Sequence, residues 1–216
     1  MKYQKHKEYF ETAYKTGTDV WTHIPIKERG HLLIEQLPLD SFILDVGSGR
    51  GLFAKQLVES GFRVIGIDFE SNIVKKANEN VAGWNLNSKL KFVEGDALDI
   101  PFADNSFDGV CDFGLMENLF REDWDEYASE IHRVLKPGGY YLNTSFSSET
   151  QNFFEFHPKA SIEKNFEKYG VNYHFFSKDE MKKIFDKQLI PIKQEIDFPD
   201  RPDEVALLET LFKKSK

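Results

Sequence analysis

The sequence predicts a doubly wound α/β fold, a mostly parallel sheet with helices on both faces. Two observations carry this. From Phe42 onward, short apolar runs alternate with helix-length amphipathic segments, the spacing of parallel strands joined by helical crossovers. The first of these runs also stops at three alternating glycines, Gly47, Gly49 and Gly51, where such a strand turns sharply into its helix.

The elements follow in order. Tyr3 to Lys15 and Ile26 to Leu37 are expected helices in a polar, aromatic N-terminal stretch. Phe42 to Val46 is the first strand, and Leu52 to Ser60 a helix, with Leu52, Phe53, Gln56 and Leu57 at helical spacing. Arg63 to Ile67 is a second buried strand, followed by a helix from Asn72 to Gly83. Leu90 to Val93 and Phe107 to Asp112 are the third and fourth strands. A helix over Trp124 to Leu135 should stop at the Pro137-Gly138-Gly139 turn, with Tyr140 to Phe146 as the fifth strand. Beyond Phe146 the pattern weakens. Lys178 to Lys187 is a helix with Ser177 placed to cap it and Glu180 at the capping-box position. Ile190 to Phe198 reads as a strand, and Val205 to Phe212 fits a helix about as well as a strand.

The 216 residues suffice for one sizeable core and are short for two. A single domain is expected, with an N-terminal helical lid segment (1–38), a cofactor-binding core (41–146) and an acceptor-side completion of the sheet (147–216). Twenty Phe residues suggest an aromatic-rich core or pocket. With 28 basic and 36 acidic residues the net charge is −8. This argues against nucleic acid as a substrate, because such affinity comes largely from basic side chains displacing counterions. Cys111 is the only cysteine, so neither an intrachain disulfide nor a cysteine zinc cluster can form. It is read as a small core residue, with a reactive thiol as the alternative. None of the six histidines has metal-ligand spacing, and no metal is expected. Met1 to Phe10 is polar and lacks the apolar region of a secretory signal. No window offers the ~18 apolar residues of a membrane span. The cytoplasm is the simplest compartment, with a monomer or homodimer as the assembly.

Ligands of open parallel sheets bind outside the carboxyl ends of the strands. The first such end is Asp45-Val46-Gly47-Ser48-Gly49-Arg50-Gly51. A dinucleotide fingerprint would require a small residue at position 52, where this sequence has Leu52, and that counts against NAD. Asp45 would repel a pyrophosphate but could receive the ammonium group of an amino-acid moiety, directly or through water. The second strand ends in Asp68, an acid able to accept hydrogen bonds from both hydroxyls of a ribose, followed by Phe69, which could pack on an adenine face or in the core. After the third strand, Asp96 could accept from an adenine amino group while the Ala97 amide donates to the ring.

At these residues the sequence resembles a class I S-adenosylmethionine-dependent methyltransferase. The resemblance runs from Phe42 to Phe146 and covers DVGSGRG, the GID acid Asp68, the GDA segment, FADNSFDGV and HRVLKPGGYY. It implies a Rossmann-like seven-stranded sheet, S-adenosylmethionine as cofactor and methyl transfer to a small-molecule acceptor. Gly47, Gly49 and Gly51, with Ser48 in the same turn, would face the methionine part of the cofactor, Asp68 the ribose, and Asp96 with Ala97 the adenine. The fourth strand ends in Cys111-Asp112-Phe113-Gly114-Leu115, with Asp112 a candidate cofactor contact. It lacks the [DN]-P-P-[FY] motif of adenine and glutamine N-methyltransferases, which counts against those acceptors. TGTDVWTHIP is similar to the segment of thiopurine and tellurite methyltransferases in which an aromatic closes over the cofactor. Trp21 is then the lid residue, and otherwise a packed aromatic.

Methyl transfer is an in-line displacement, so the protein mainly aligns the acceptor and excludes water. A hydroxyl or ammonium acceptor must also lose a proton, and Glu117, His157 and His174 are the candidate bases. The two histidines lie in the variable stretch from Ser147 to Phe176, whose clustered aromatics suit an apolar or planar acceptor, a dimer contact or a core edge. A protein acceptor stays open, which activity on peptides would reveal, and two other readings stand beside methyl transfer. One is an NAD-dependent oxidoreductase, which Leu52 disfavours. The other is a noncatalytic adenosylmethionine-binding module, which a blocked or absent pocket opposite Gly47 would favour.

Overall fold

A computed structural model describes residues 2–19, 29–86, 88–151, 165–199 and 205–216. The strands β1 (Phe42–Val46), β2 (Arg63–Asp68), β3 (Leu90–Glu94), β4 (Phe107–Phe113), β5 (Leu135–Phe146), β8 (Ile190–Asp197) and β9 (Leu207–Lys213) form one seven-stranded sheet in the order β3-β2-β1-β4-β5-β9-β8. The ladders from β3 across to β5 are parallel, and β9 runs antiparallel to both β5 and β8. The strand order reverses at β1, which pairs with β2 on one side and β4 on the other. That is where a doubly wound sheet opens a crevice.

Helices cover both faces. On one side α2 (His31–Ile34), α3 (Leu52–Glu59) and α4 (Ser71–Trp84) pack Leu33, Phe53, Leu57, Ala77 and Val81 around Ile43. On the other, α5 (Trp124–Val134) and α6 (Lys178–Phe185) pack Tyr127, Ile131, Met181 and Phe185 around Leu44 and Val46. Each fully buried side chain of this size contributes roughly 1.5–3 kcal/mol. β9 is buried on both faces, with Leu208 and Phe212 on one core and Leu211 on the other. A strand covered twice loses its alternation, which is why Val205 to Phe212 reads equally as helix and strand.

Two local departures have plain causes. α5 stops at Val134 and the chain passes directly into β5, so Pro137-Gly138-Gly139 is not a separate turn but a bulge within the strand. Phe107 faces Leu135 and Gly109 faces Tyr140 across it. A Cβ on Gly139 would stand 2.9 Å from the Asp108 carbonyl, so the backbones meet too closely for a side chain. The second departure is a hairpin inside the variable stretch, β6 (Asn165–Lys168) and β7 (Val171–His174). Tyr169 (φ 57°) and Gly170 (φ 80°) make its two-residue turn, the all-left-handed type that matches strand twist.

Of the helix expected over Ile26 to Leu37, residues 29–37 are described, and they are helical only over α2 (His31–Ile34), which starts after Gly30 in the left-handed region (φ 75°). α1 (Gln4–Thr16) lies over the carboxyl ends of the strands. Its foot is fixed by Tyr3, whose hydroxyl donates to Asp123 Oδ2 (2.6 Å) and accepts from the Phe120 amide (2.9 Å). Its far end is fixed by Arg50, which donates to both Asp19 oxygens (2.7 and 2.9 Å) and to the Tyr14 carbonyl (3.0 Å). Among the described residues no helix is long and apolar enough to cross a membrane.

Candidate functional site

The site is built on the turn after β1. The Gly47 and Ser48 amides both donate to the Ile67 carbonyl at 2.9 Å, lashing the turn to β2. The Gly49 amide donates to Asp68 Oδ2 and the Glu70 amide to Asp68 Oδ1, each at 3.0 Å. Glu70, not Asp68, caps α4, accepting from the Ile73 amide at 2.8 Å. Asp68 is therefore free of helix duty. Its burial raises its pKa to about 6, with the Glu70 and Gly49 amides working against that rise.

Above this unit lies a cavity whose wall brings together Gly47, Asp68, Phe69, Asp96 and Ala97, drawn from three strand ends as the sequence suggests. Gly47 (φ 73°) turns the chain beside Leu115, which would stand 2.7 Å from an added Cβ. Gly51 (φ 80°) is different. A Cβ there would fall 2.3 Å from the Phe92 ring, so it is glycine because α3 packs on β3, and it does not face the cavity. Gly49 contributes its amide to Asp68, and Ser48 Oγ donates to the Ile67 carbonyl (3.3 Å); neither is in the wall.

Two acids also lie off the wall. Side chains alternate along a strand, so Val46 borders the cavity while Asp45 is buried on the opposite face of β1. Its Oδ2 has no partner, and burial, reinforced by the Asp112 charge, raises it to about 8. Asp112 accepts from the Tyr127 and Tyr141 hydroxyls (2.6 and 2.5 Å) and from Asn143 Nδ2 (3.1 Å), with a pKa raised by burial to about 6. Its carboxylate ties β4, β5 and α5 together behind the site, while its neighbours Phe113 and Gly114 form the wall. Cys111 is fully buried with its pKa pushed well up, consistent with a core residue.

The cavity continues past Gly47 over the ends of β4 and β5, bordered by Glu117, Leu119, Thr144, Phe146, Tyr173 and Leu207. Glu117 is buried and its Oε2 has no partner. Burial raises its pKa to about 8, and the Asp112 charge adds to the rise against the Glu117 amide and the Ser145 hydroxyl. At neutral pH it is chiefly a protonated acid, a hydrogen-bond donor more than a base. His174 does not border the cavity. Its Nδ1 meets Asn165 Oδ1 and its Nε2 meets Glu180 Oε2 at 2.9 Å, with the ring between Trp124 and Phe176. Both nitrogens are engaged, which corrects its reading as a base. His157 and Trp21 lie outside the described residues.

The sequence points to a helical lid within 1–38 but not to the residues of α1 that form the roof. Tyr3 at the foot of α1 and His6, Phe10 and Tyr14 on it all border the cavity, a stripe at helical spacing. The β6–β7 hairpin adds Tyr173.

Residues 44–143 match the methyltransferase domain family, the same stretch that supplies β1, the glycine turn, Asp68, Asp96 and β4. That stretch, a little under half of the chain, is a class I S-adenosylmethionine-dependent methyltransferase domain. The domain is 39% identical over 93 residues to a demethylmenaquinone methyltransferase of Desulfitobacterium hafniense (strain Y51), covering 43% of this chain and 36% of that protein. It is 39% identical over 100 residues to a sterol 24-C-methyltransferase of Gibberella zeae, covering 46% and 26%. The matched segment thus spans well under half the length of these relatives. The chain superposes with TM-score 0.81 on the Burkholderia thailandensis 1,6-didemethyltoxoflavin-N1-methyltransferase, a complex with 1,6-didemethyltoxoflavin and S-adenosylhomocysteine. That match covers 98% of this chain and 88% of the other at 20% identity, a likeness of fold.

S-adenosylmethionine is the methyl donor of this family, and the residues of the methyltransferase domain fit it. Each Asp68 oxygen accepts one amide and keeps a further lone pair for a ribose hydroxyl. Asp96 Oδ1 accepts from the Leu98 amide at 2.9 Å, fixing the turn that presents Ala97.

Proposed function

We propose that this chain transfers the methyl group of S-adenosylmethionine to a small, planar, largely apolar acceptor seated over the ends of β4 and β5. In this reading Asp68 holds the ribose, Phe69, Asp96 and Ala97 hold the adenine, and the methionine part runs over Gly47 toward Phe113 and Gly114. Asp45 acts from beneath the turn, through its backbone or a water, rather than by direct contact.

The observation that carries the proposal is the continuity of the cavity. From Asp68 and Ala97 it passes Gly47 without a block and opens into a second half bordered by Leu119, Phe146, Tyr173 and Leu207. A module that only binds adenosylmethionine has no use for that second half. The aromatic walls suit a flat acceptor, and α1, clamped at both ends, excludes water from the line of displacement. Such alignment is worth several kcal/mol, up to ~7–11 in intramolecular cases. The named relatives are methyltransferases of a demethylmenaquinone and of a sterol, and ring-bearing acceptors of that general kind suit these walls.

The test is incubation with methyl-tritiated S-adenosylmethionine and a panel of phenols, quinols and nitrogen heterocycles, beside peptide and DNA controls. Label transfer to a panel member and not to the controls supports the proposal. Cofactor binding without transfer to any panel member favours the binding module, and transfer to peptides favours a protein acceptor.

A further inference from the structure

The second half of the cavity holds polar atoms that the protein leaves without partners. His6 Nδ1, Glu117 Oε2 and Thr144 Oγ1 are each buried with no hydrogen bond, and all three residues border the cavity. They come from separate elements: α1, the 3-10 turn Met116–Asn118 after β4, and β5, where Thr144 lies beside Phe113. An unpaired buried polar atom is expensive. Three such atoms around one cavity, on its roof and its floor, are what a molecule with hydrogen-bonding groups would satisfy on seating against them.

The contacts of His6 favour one tautomer. Its Nε2 lies 3.0 Å from the Asn118 carbonyl oxygen, which can only accept. The Asn172 amide donates toward the same nitrogen at the longer 3.4 Å; the two contacts compete, and the shorter one, to a carbonyl that can only accept, favours the proton on Nε2. Nδ1 then bears a bare lone pair. Burial lowers the pKa of His6, against the Asn118 carbonyl and the charge of Glu167 on β6. The other titratable groups facing this region are Tyr3 beside it, Glu117 across the cavity and Tyr173 on β7.

Resting on the methyl-transfer reading above, we infer that His6 is the catalytic base, taking at Nδ1 the proton of an ionisable O–H or N–H on a planar acceptor whose polar edge Glu117 and Thr144 also hold. The acceptor oxygen or nitrogen forms a bond to the methyl carbon, and the carbon–sulfur bond breaks with its electron pair left on sulfur. The acceptor proton passes to Nδ1 and from there to water. Positive charge moves from the sulfonium to the imidazolium and none is created, so a low-dielectric site does not penalise the step.

The test loads the protein with S-adenosylhomocysteine and titrates 4-nitrophenol, a planar phenol whose anion is yellow. The sulfur of S-adenosylhomocysteine is uncharged, so a lowered phenol pKa on the protein reports the protein's own base. The bound phenol should titrate about one unit or more below the free one, at least a tenfold gain in phenolate. His6→Gln keeps an N–H for Asn118 and an oxygen for the acceptor but is not basic. It should return the phenol to its free pKa while S-adenosylhomocysteine affinity stays within about twofold. No nitrophenol binding by the loaded protein, or equal phenolate on wild type and His6→Gln, overturns the assignment. Failure of S-adenosylhomocysteine to bind wild type overturns the methyl-transfer reading instead. Nitrogen NMR of the wild type is a check that needs no variant. A neutral ring protonated at Nε2, with Nδ1 responding to nitrophenol, is expected at pH 7, and a ring protonated at Nδ1 overturns the inference.

Discussion

The Gly49 amide donates to Asp68 Oδ2 at 3.0 Å, which makes the glycine turn after β1 and the acid ending β2 one hydrogen-bonded unit. The same carboxylate accepts the Glu70 amide. Asp68→Ala therefore leaves two buried donors without an acceptor, at about 1–3 kcal/mol each. A fall in the urea midpoint of the ligand-free protein is expected, with Asp68→Asn, which keeps one acceptor oxygen, falling less.

Gly51→Ala should act through the fold. Its Cβ would collide with the Phe92 ring and its φ of 80° disfavours any side chain. Overpacking costs about 1–3 kcal/mol and the left-handed backbone roughly 1–2 more. A lower thermal midpoint is expected, measured by circular dichroism, together with weaker cofactor binding that follows the loss of folded protein.

Burial raises Asp45 and Glu117 to about 8 and Asp68 and Asp112 to about 6. A carboxyl with a raised folded pKa binds protons more tightly when folded. The stability it contributes is whole below the unfolded pKa near ~4 and is lost as pH rises through the folded value. Between pH 4 and 8 these four acids make the ligand-free protein less stable as pH rises, while Asp108, Glu130 and Glu180, whose pKa values are lowered, give the opposite slope only below the unfolded value near ~4. Asp45→Asn, a mimic of the protonated acid, should raise stability relative to wild type much more at pH 8.5 than at pH 5. Urea titrations at the two pH values measure this, and an equal effect at both contradicts it.

Arg50 joins the glycine turn to Asp19 and Tyr14 at the end of α1. Arg50→Ala should loosen the roof and leave the sheet intact. Hydrogen exchange is expected to quicken in α1 and not in β1 or β2, with cofactor affinity reduced about tenfold, as for the loss of a charged hydrogen bond.

The sheet was legible because buried parallel strands are short apolar runs with hard stops, as Phe42 to Val46 stops at Gly47. The β6–β7 hairpin was not. Its strands are four residues each, and its turn puts Tyr169, not the usual Asn or Asp, in the left-handed region. At the site, Gly47, Asp68, Phe69, Asp96 and Ala97 were readable because each ends or follows a strand. Asp45, Asp112 and Gly51 belong to the same motifs, yet alternation and packing turn them from the cavity, which spacing alone does not reveal. His6 and Tyr14 went unread because their helix lies far from every strand in sequence, although their stripe with Tyr3 and Phe10 was there to count.

The most direct test is calorimetric titration of S-adenosylmethionine and S-adenosylhomocysteine, with NAD as control, on wild type and Asp68→Ala. Micromolar binding of both, no NAD binding, and a loss of about 10- to 150-fold on substitution are predicted, the range for hydrogen bonds to a charged acceptor. Folded wild-type protein that binds neither adenosyl compound would contradict the account, and the glycine turn would then serve the fold alone or another ligand.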